Sequence, residues 1–396
     1  MTEGWKEVSL GQKCDFERGV EPGSSNYNTS GLGKRFLRVS DLTNSREEVL
    51  FTDIKTDKIL KNKDICISLD GTVGIVRDDL EGIYSTGIRK VNFSENEFNR
   101  KFIYYILKSN KIQKIIKFHS SGSTILHAGK SINFFDINIP KSLPEQQKIA
   151  DILTKVDETI EFTEKIIEKD ERIKKGLMQD LFSAEKNIVS IDDITELVGS
   201  GVTPKGGYKV YVKSGTIFLR SQNIYPEGLK LTNVAHITKS INSIMKRTQT
   251  TDFDVLLNIT GASIGRSTFI PENFPNANVN QHVCILRLKN KTKDDAFLLS
   301  SLLNSDLGQK QIIALNAGSN REGLNFQQTK SMEFPFPEDE NKRKQIVSIL
   351  SSIDSKIQKE KQELNKLKSI KEGLMQDLLT GNKQKEVTCM IKEAVA

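Results

Sequence analysis

Ile173-Lys174-Lys175-Gly176-Leu177-Met178-Gln179-Asp180-Leu181 returns as Ile370-Lys371-Glu372-Gly373-Leu374-Met375-Gln376-Asp377-Leu378, an offset of 197 residues with eight of nine positions identical. In a chain of 396 residues, such a repeat decides the architecture before any single motif does. The same offset carries Ile139-Pro140 onto Phe336-Pro337 and Ile149-Ala150-Asp151-Ile152-Leu153 onto Ile346-Val347-Ser348-Ile349-Leu350. Upstream the offset shrinks, as it does where loops differ in length. Phe36-Leu37-Arg38 matches Phe218-Leu219-Arg220, and Asp64-Ile65-Cys66-Ile67 before Gly71 matches Asp254-Val255-Leu256-Leu257 before Gly261. Gly122-Ser123 matches Gly318-Ser319. One unit is written twice: a variable block of about 140–150 residues, then a matched block of about 40.

The matched block reads as helix. Ile149, Leu153, Val156, Ile160 and Ile167 step by 4, 3, 4 and 7, and Ile346, Leu350, Ile353, Ile357 and Leu364 repeat those steps. A seam recurring every 3.5 residues suits two helices packed along one another. Lys, Glu, Asp and Gln fill the rest, as a solvated face requires. Beyond residue 170 the pattern shifts to Ile173, Leu177 and Leu181, and to Ile370, Leu374 and Leu378, which predicts a seam that rotates near its end. Pro144 and Pro337 stand where a helix start tolerates proline. A helix of about 38 residues is about 57 Å long, and alone in water its one-sided apolar stripe is poorly stable. The simplest partner is the other copy, giving two long antiparallel coiled-coil helices with a domain at each end; the alternative is that each helix packs on its own domain.

The variable blocks carry short Ile/Val/Phe/Thr runs between Gly, Asn, Asp and Ser clusters, at 63–69, 74–76, 89–93, 254–259, 267–270 and 282–288. Helical patterns cover 102–107 and 297–303. The expected fold class is α+β: two mixed α/β domains, at 1–143 and 183–337, alternating with helices at 144–182 and 338–380 about a pseudo-twofold internal repeat, and a tail at 381–396.

Composition narrows the function. Lys and Arg number 58 against 51 Asp and Glu, a net charge of +7, which permits a polyanionic partner without demanding one. No run approaches the ~20 apolar residues of a membrane span, and the first residues lack the layout of a signal peptide. Cys14, Cys66, Cys284 and Cys389 lie far apart, which argues against a disulfide framework or a thiolate zinc site and points to the cytoplasm.

Catalytic patterns are missing. The Gly122–Ser131 stretch spaces its glycines wrongly for a phosphate-binding loop. His119 and His127 sit in a Ser/Gly-rich loop with no carboxylate partner nearby in sequence, so no metal site is expected. Neither a nuclease motif nor an amino-methyltransferase tetrapeptide is complete. The expectation is a chain that makes or breaks no covalent bond by itself.

The loops offer recognition instead. Lys34, Arg35, Arg38 and Ser40 place cations beside a short apolar run, and their counterparts Arg220, Gln222 and Asn223 suit purine edges in a major groove. Thr72 lies in the glycine-flanked turn Gly71-Thr72-Val73-Gly74, and Ser263 and Arg266 in its counterpart, where backbone N–H groups could meet phosphate. Thr86, Arg89 and Lys90 stand about where Asn280, Gln281 and His282 stand in the second copy. A third pair of loops holds Ser123, His127 and Lys130, and then Ser319, Asn320, Arg321 and Asn325. Different side chains at corresponding positions of one scaffold are what two readers of two target sequences need.

These features resemble the DNA-specificity (S) subunit of Type I restriction–modification enzymes over essentially the whole chain. Carrying the resemblance are Trp5-Lys6-Glu7-Val8-Ser9-Leu10, Leu143-Pro144-Glu145-Gln146-Gln147-Lys148-Ile149-Ala150, Gly318-Ser319-Asn320-Arg321-Glu322-Gly323-Leu324-Asn325-Phe326, and the two Gly-Leu-Met-Gln-Asp-Leu helix ends. Residues 339–344 depart from the Glu-Gln-Gln pattern. The resemblance implies two target-recognition domains, each reading half of a bipartite asymmetric site in double-stranded DNA, with the helices as a ruler. It implies two methyltransferase (M) subunits docked on that frame and restriction/translocase (R) subunits joining them. S-adenosylmethionine, ATP and Mg would serve those partners, with no cofactor or metal in this chain. The rivals are a stand-alone bipartite DNA-binding regulator and a helical protein-binding scaffold.

Overall fold

In the computed structural model, residues 4–43, 48–183, 185–317 and 323–381 are described, apart from the side chains of Ser24 and Tyr208. The chain forms two compact units whose boundaries fall inside the long helices: one comprises residues 1–165 and the chain from residue 361 onward, the other residues 166–360.

Within the first unit, an antiparallel sheet runs in the order Asp15–Arg18, Ile88–Asn92, Cys66–Ser68, Val76–Arg77. A second sheet orders Leu50–Thr52, Lys34–Leu37, Gly82–Tyr84, Ile59–Leu60 and contains one parallel pair, Lys34–Leu37 with Gly82–Tyr84. Trp5–Ser9 pairs with Asp136–Pro140, so the start of the block is tied to the residues just before the first long helix. Helix Arg100–Lys108, capped by Asn99, buries Phe102, Ile103, Tyr105, Ile106 and Leu107.

The second unit repeats this plan. Thr195–Ser200, Val283–Leu288, Val255–Asn258 and Ser267–Phe269 form the four-stranded sheet in the same order. Thr216–Leu219 again has a parallel neighbour, Ala277–Val279, and Ile188–Ser190 pairs with Glu333–Pro335. An extra hairpin, Ile224–Tyr225 with Gly228–Leu229, has no equivalent among the described residues of the first unit.

The first long helix is Leu143–Ser183 and the second Glu340–Leu378. In the first unit, Ile149, Ala150 and Leu153 share a core with Leu374, Leu378 and Leu379. In the second, Phe182, with Met178 and Leu181 packed against it, shares a core with Ile346, Val347 and Leu350. The start of one helix therefore lies beside the end of the other in both units, an antiparallel pairing. Each helix also packs on a globular domain, so the two arrangements considered from sequence coexist.

The seam does not rotate. Ile173 and Ile370 are 41% and 39% exposed. The 4,3 spacing continues instead through Thr163, Ile167, Asp170, Lys174, Leu177 and Leu181, and through Glu360, Leu364, Leu367, Lys371, Leu374 and Leu378, all buried or half-buried. Polar residues at seam positions interrupt the apolar pattern, and that interruption mimics a rotation. Ion pairs explain how they are accommodated. Lys371 lies 2.5 Å from Asp157 in the first unit, and Lys174 lies 2.6 Å from Asp354 in the second. Both members of one pair map onto the other at the repeat offset, the reciprocity expected of a twofold contact. Asp170, 2% exposed, meets Lys356 at 2.9 Å, whereas its repeat equivalent is apolar Leu367. A buried carboxylate needs such a partner because burial alone disfavours its charge.

Gln146 fixes the first helix to its domain. Fully buried, it accepts from the Asn99 amide (2.8 Å) and donates to the carbonyls of Glu97 (3.2 Å) and Pro140 (3.1 Å). Arg343 takes its place in the second copy, donating to the carbonyl of Pro337 at 2.8 Å and lying 2.6 Å from Asp295. The departure at 339–344 thus keeps the same anchor with a different side chain. No described helix is long and apolar enough to cross a membrane.

Two outcomes follow. Deleting residues 361–396 removes Leu374, Leu378 and Leu379 from the first core; limited proteolysis should show new cleavage in residues 4–165, while fragments from 185–340 stay protected. Replacing Gln146 by Leu strands the Asn99 amide and the carbonyls of Glu97 and Pro140, and chemical denaturation should show a loss of about 1–3 kcal/mol.

Candidate nucleic-acid interface

The recognition loops gather where the central sheet of each unit ends. In the first unit, Asp70–Gly71 pairs with Leu126–His127, and the amide of Leu69 donates to the Gly87 carbonyl at 3.0 Å. A Cβ on Gly87 would approach Val39 Cγ2 and the Asp70 carbonyl, and one on Gly129 would touch Arg89. Segments around residues 39, 70, 87, 127 and 129 are therefore neighbours, although sequence separates them by up to 90 positions.

Asp70 organises this cluster. Its Oδ1 lies 2.8 Å from His127 Nδ1, and its Oδ2 accepts from Arg89 Nη2 at 3.2 Å. The carboxylate that sequence proximity withheld from His127 arrives from 57 residues upstream. Arg89 is buried, donates further to the carbonyls of Thr86 and Ile88, and has its pKa lowered by desolvation, with Asp70 opposing that shift. Its role is to hold the loop. Lys90, next along the strand, is directed to the opposite face and pairs with Asp64 at 2.7 Å. Arg35 and Arg38 converge on Asp41, 2% exposed: Arg35 Nη2 reaches Oδ1 at 3.1 Å, and the Arg38 amide donates to Oδ2 at 2.9 Å. Ser40, Thr72, Ser123 and Lys130 are exposed around the cluster; Lys34, also exposed, lies at the far end of its strand from Ser40. His119 is drawn elsewhere and stacks on Phe134 at 4.0 Å.

The second unit gathers equivalent loops. Asn223 is buried and spends its side chain inside the protein, accepting from the Arg220 amide at 3.0 Å and donating to the Lys230 carbonyl at 2.8 Å. The Arg220 guanidinium lies over Tyr211, 5.5 Å from the ring centre. Gln222, between them, is exposed. Ser263 accepts from Asn258 Nδ2, which also donates to the Ser221 carbonyl and so ties two loops together. Arg266 and Lys230 both lie over one ring, Tyr225, at 5.0 Å and 3.6 Å from its centre. Buried Asn280 accepts from the His282 amide at 3.1 Å, Gln281 is exposed, and His282 Nδ1 meets Thr260 Oγ1. Asn325 caps helix Phe326–Lys330 in a reciprocal box with Gln328. Ser319, Asn320 and Arg321 lie outside the described residues.

Each glycine turn is closed by hydrogen bonds within the fold. Gly74 and Gly265 adopt φ of 88° and 87°, and their amides are committed to the carbonyls of Ser68 and Asn258, both at 2.8 Å. Gln113 and Gln309, on helices Asn110–Phe118 and Asp306–Asn316, close the same turns by donating to the Gly74 and Gly265 carbonyls at 2.9 Å and 3.0 Å. Asp70, Thr260, Tyr225 and Lys230 were absent from the sequence-derived set. Tyr225 and Lys230 belong to the extra hairpin, which the repeat could not reveal; Asp70 and Thr260 directly precede the paired glycines Gly71 and Gly261, a signal that the alignment of copies already contained.

Among the described residues, no group of three or more His, Cys, Asp or Glu side chains could hold a metal ion. Burial pushes the thiols of Cys14, Cys66 and Cys284 up to about 12, as core sulfur rather than nucleophiles.

The chain has relatives among known proteins. A Type I restriction enzyme specificity subunit, MjaVIII, from Methanocaldococcus jannaschii is 23% identical, the match covering 96% of this chain and 93% of the relative. The putative MjaX specificity subunit of the same organism is 24% identical over 73% of this chain and 69% of its own length. Among solved structures, the S subunit of a Type I restriction–modification system from M. genitalium superposes with a TM-score of 0.60 at 17% identity, covering 95% of this chain and 96% of that one. A chain from a structure of complex assembly and conformational transition in a type I R-M system gives 0.57 at 14% identity over 96% and 99%. The profile of the Type I restriction modification DNA specificity domain matches twice, at residues 2–172 and 184–369, and the chain belongs to that family.

Proposed function

We propose that this chain is the specificity subunit of a Type I restriction–modification complex, that each unit reads one half of a bipartite asymmetric DNA site, and that the paired helices set the gap between the halves. The observation that carries this reading is one scaffold used twice with different side chains at equivalent places: Thr72 beside Gly71 where Ala262 follows Gly261, and Gly87 where the second unit has His282. Exposed Ser40, Thr72, Ser123, His127 and Lys130 are the first unit's surface for DNA, and Gln222 and Gln281 with the Tyr225-Lys230-Arg266 group the second's. The arginines held on Asp41 and Asp70 shape the loops that present them.

The long helices suit both ruler and dock. Their outer faces carry Lys and Glu pairs, such as Lys165 with Glu161 at 2.6 Å, and such exposed pairs contribute little stability, leaving those faces open to methyltransferase subunits. Restriction subunits complete the assembly. S-adenosylmethionine, ATP and Mg act on those partners, and this chain contributes address rather than chemistry.

Mapping methylated bases in cells that express the chain with its methyltransferase, against cells lacking it, should reveal a split motif with a fixed unread gap. No new methylation beside an active methyltransferase would overturn the reading. Gln222→Ala and Gln281→Ala should relax bases in one half of that motif and leave the other half unchanged. A heptad added to each helix, between Ile160 and Ile167 and between Ile357 and Leu364, lengthens the pair by about 10 Å and should widen the gap by about three base pairs.

A further inference from the structure

The two units place an imidazole at one spot from opposite sides. In the first, the Leu69 amide donates to the Gly87 carbonyl (3.0 Å) and the Ala128 amide to the Leu69 carbonyl (2.7 Å). In the second, the Ile259 amide donates to the His282 carbonyl (3.0 Å) and the Leu324 amide to the Ile259 carbonyl (2.8 Å). These bonds make Gly87 equivalent to His282, so that Arg89, which the sequence had set near His282, falls opposite Cys284, and they make His127 equivalent to Gly323. The register agrees, since His127 pairs with Asp70 and Gly323 with Thr260. Histidine and glycine have exchanged places across the strand end. Sterics make the exchange exclusive in the first unit, where a Cβ at Gly87 would lie 2.6 Å from Val39 Cγ2. In both units the ring closes through Nδ1 on the residue that follows the anchoring Leu69 or Ile259: Asp70 in one, Thr260 in the other.

The anchors differ in what they permit. A carboxylate accepts hydrogen bonds, so opposite Asp70 the neutral His127 ring carries its proton on Nδ1 and presents Nε2 as an acceptor. Arg89 bonds the second carboxylate oxygen and fixes its orientation. The His127 side chain is 61% exposed. Thr260 can donate or accept, and Gln281 Nε2 already stands 3.4 Å from His282 Nε2, so the second unit presents a Gln–His pair instead.

We propose that His127 is a base-reading residue of the first unit, its Nε2 accepting a hydrogen bond from an exocyclic amino group, cytosine N4 or adenine N6, in the major groove, with Asp70 as the positioning residue that sets the tautomer. This rests on the reading of the units as DNA recognisers. A major-groove amino group is the donor that separates cytosine and adenine from guanine and thymine, so a lone acceptor discriminates between those two classes.

The test uses the full chain assembled with its methyltransferase, acting on DNA with randomised half-sites, and reads base preference position by position from the modified products. His127→Ala should lower preference for cytosine or adenine at a single position of one half-site by about tenfold, with every other position unchanged. Asp70→Asn supplies an amide that can donate to Nδ1 and move the ring proton to Nε2. Its preference at that same position should swing towards guanine or thymine, a shift that a merely structural Asp70 would not produce. His127→Gln guards against a folding artefact, since it keeps a polar side chain at this exposed site and should alter the same single position. Unchanged preference in His127→Ala would overturn the proposal while the split motif still stands. So would a uniform decline across the half-site in both His127 variants, or an affected position that selects guanine or thymine in the unsubstituted protein. If the unsubstituted complex shows no split preference at all, the reading of the units as DNA recognisers fails, and this proposal with it.

Discussion

An apolar stripe on a helix of 41 residues cannot be left facing water, and the remainder of this molecule is arranged around covering it. The cover comes from two sources at once. Ile149, Ala150 and Leu153 press on the domain that precedes them in sequence, while Leu374, Leu378 and Leu379 enter the same core from the other end of the chain. At the opposite end, Phe182 joins the core that Ile346, Val347 and Leu350 complete. The helices are thus structural members of the domains they connect, and the sequence repeat and the compact unit are different divisions of the chain.

Symmetry in the helix pair is close but deliberately incomplete. The pairs Asp157–Lys371 and Asp354–Lys174 repeat at one register, so an alignment that keeps one keeps the other. Where Asp170 faces Lys356, the repeat equivalent is Leu367, 9% exposed. A helix shifted by a heptad would leave Asp170 buried without its cation, a penalty that a wholly apolar seam could not impose. Polar residues at seam positions here set register, the use best attested for buried polar groups.

Much of this was legible in the residues. The offset of 197, the heptad steps and the short apolar runs gave both helices and the paired domains, because periodicity reports which face is buried. The reading failed where polarity and burial part company. Lys174 and Lys371 look solvated yet stand in the seam, while Ile173 and Ile370 look buried and are exposed. The loops were harder still. Residue type made Arg35, Arg89 and Asn223 attractive as nucleic-acid contacts, but the side chain of each is engaged inside the protein. The partners that engage them, Asp41, Asp70 and the Lys230 carbonyl, come from tertiary proximity or from a short turn. Arg343 shows the reverse: a residue that breaks a motif in sequence and preserves its hydrogen bond in space.

The sharing of cores between chain ends bears on synthesis. A ribosome completes residues 1–165 long before it reaches Leu374, so the nascent first domain emerges lacking part of its own interior. At about 5–20 residues per second, roughly 10–40 seconds separate the two events. Throughout that interval the apolar face around Ile149 and Leu153 has no helix to meet, whereas the second domain has its whole complement once Leu350 is out. Birth order and order of completion are therefore reversed, with the second domain closing first and the end of the second long helix completing the first.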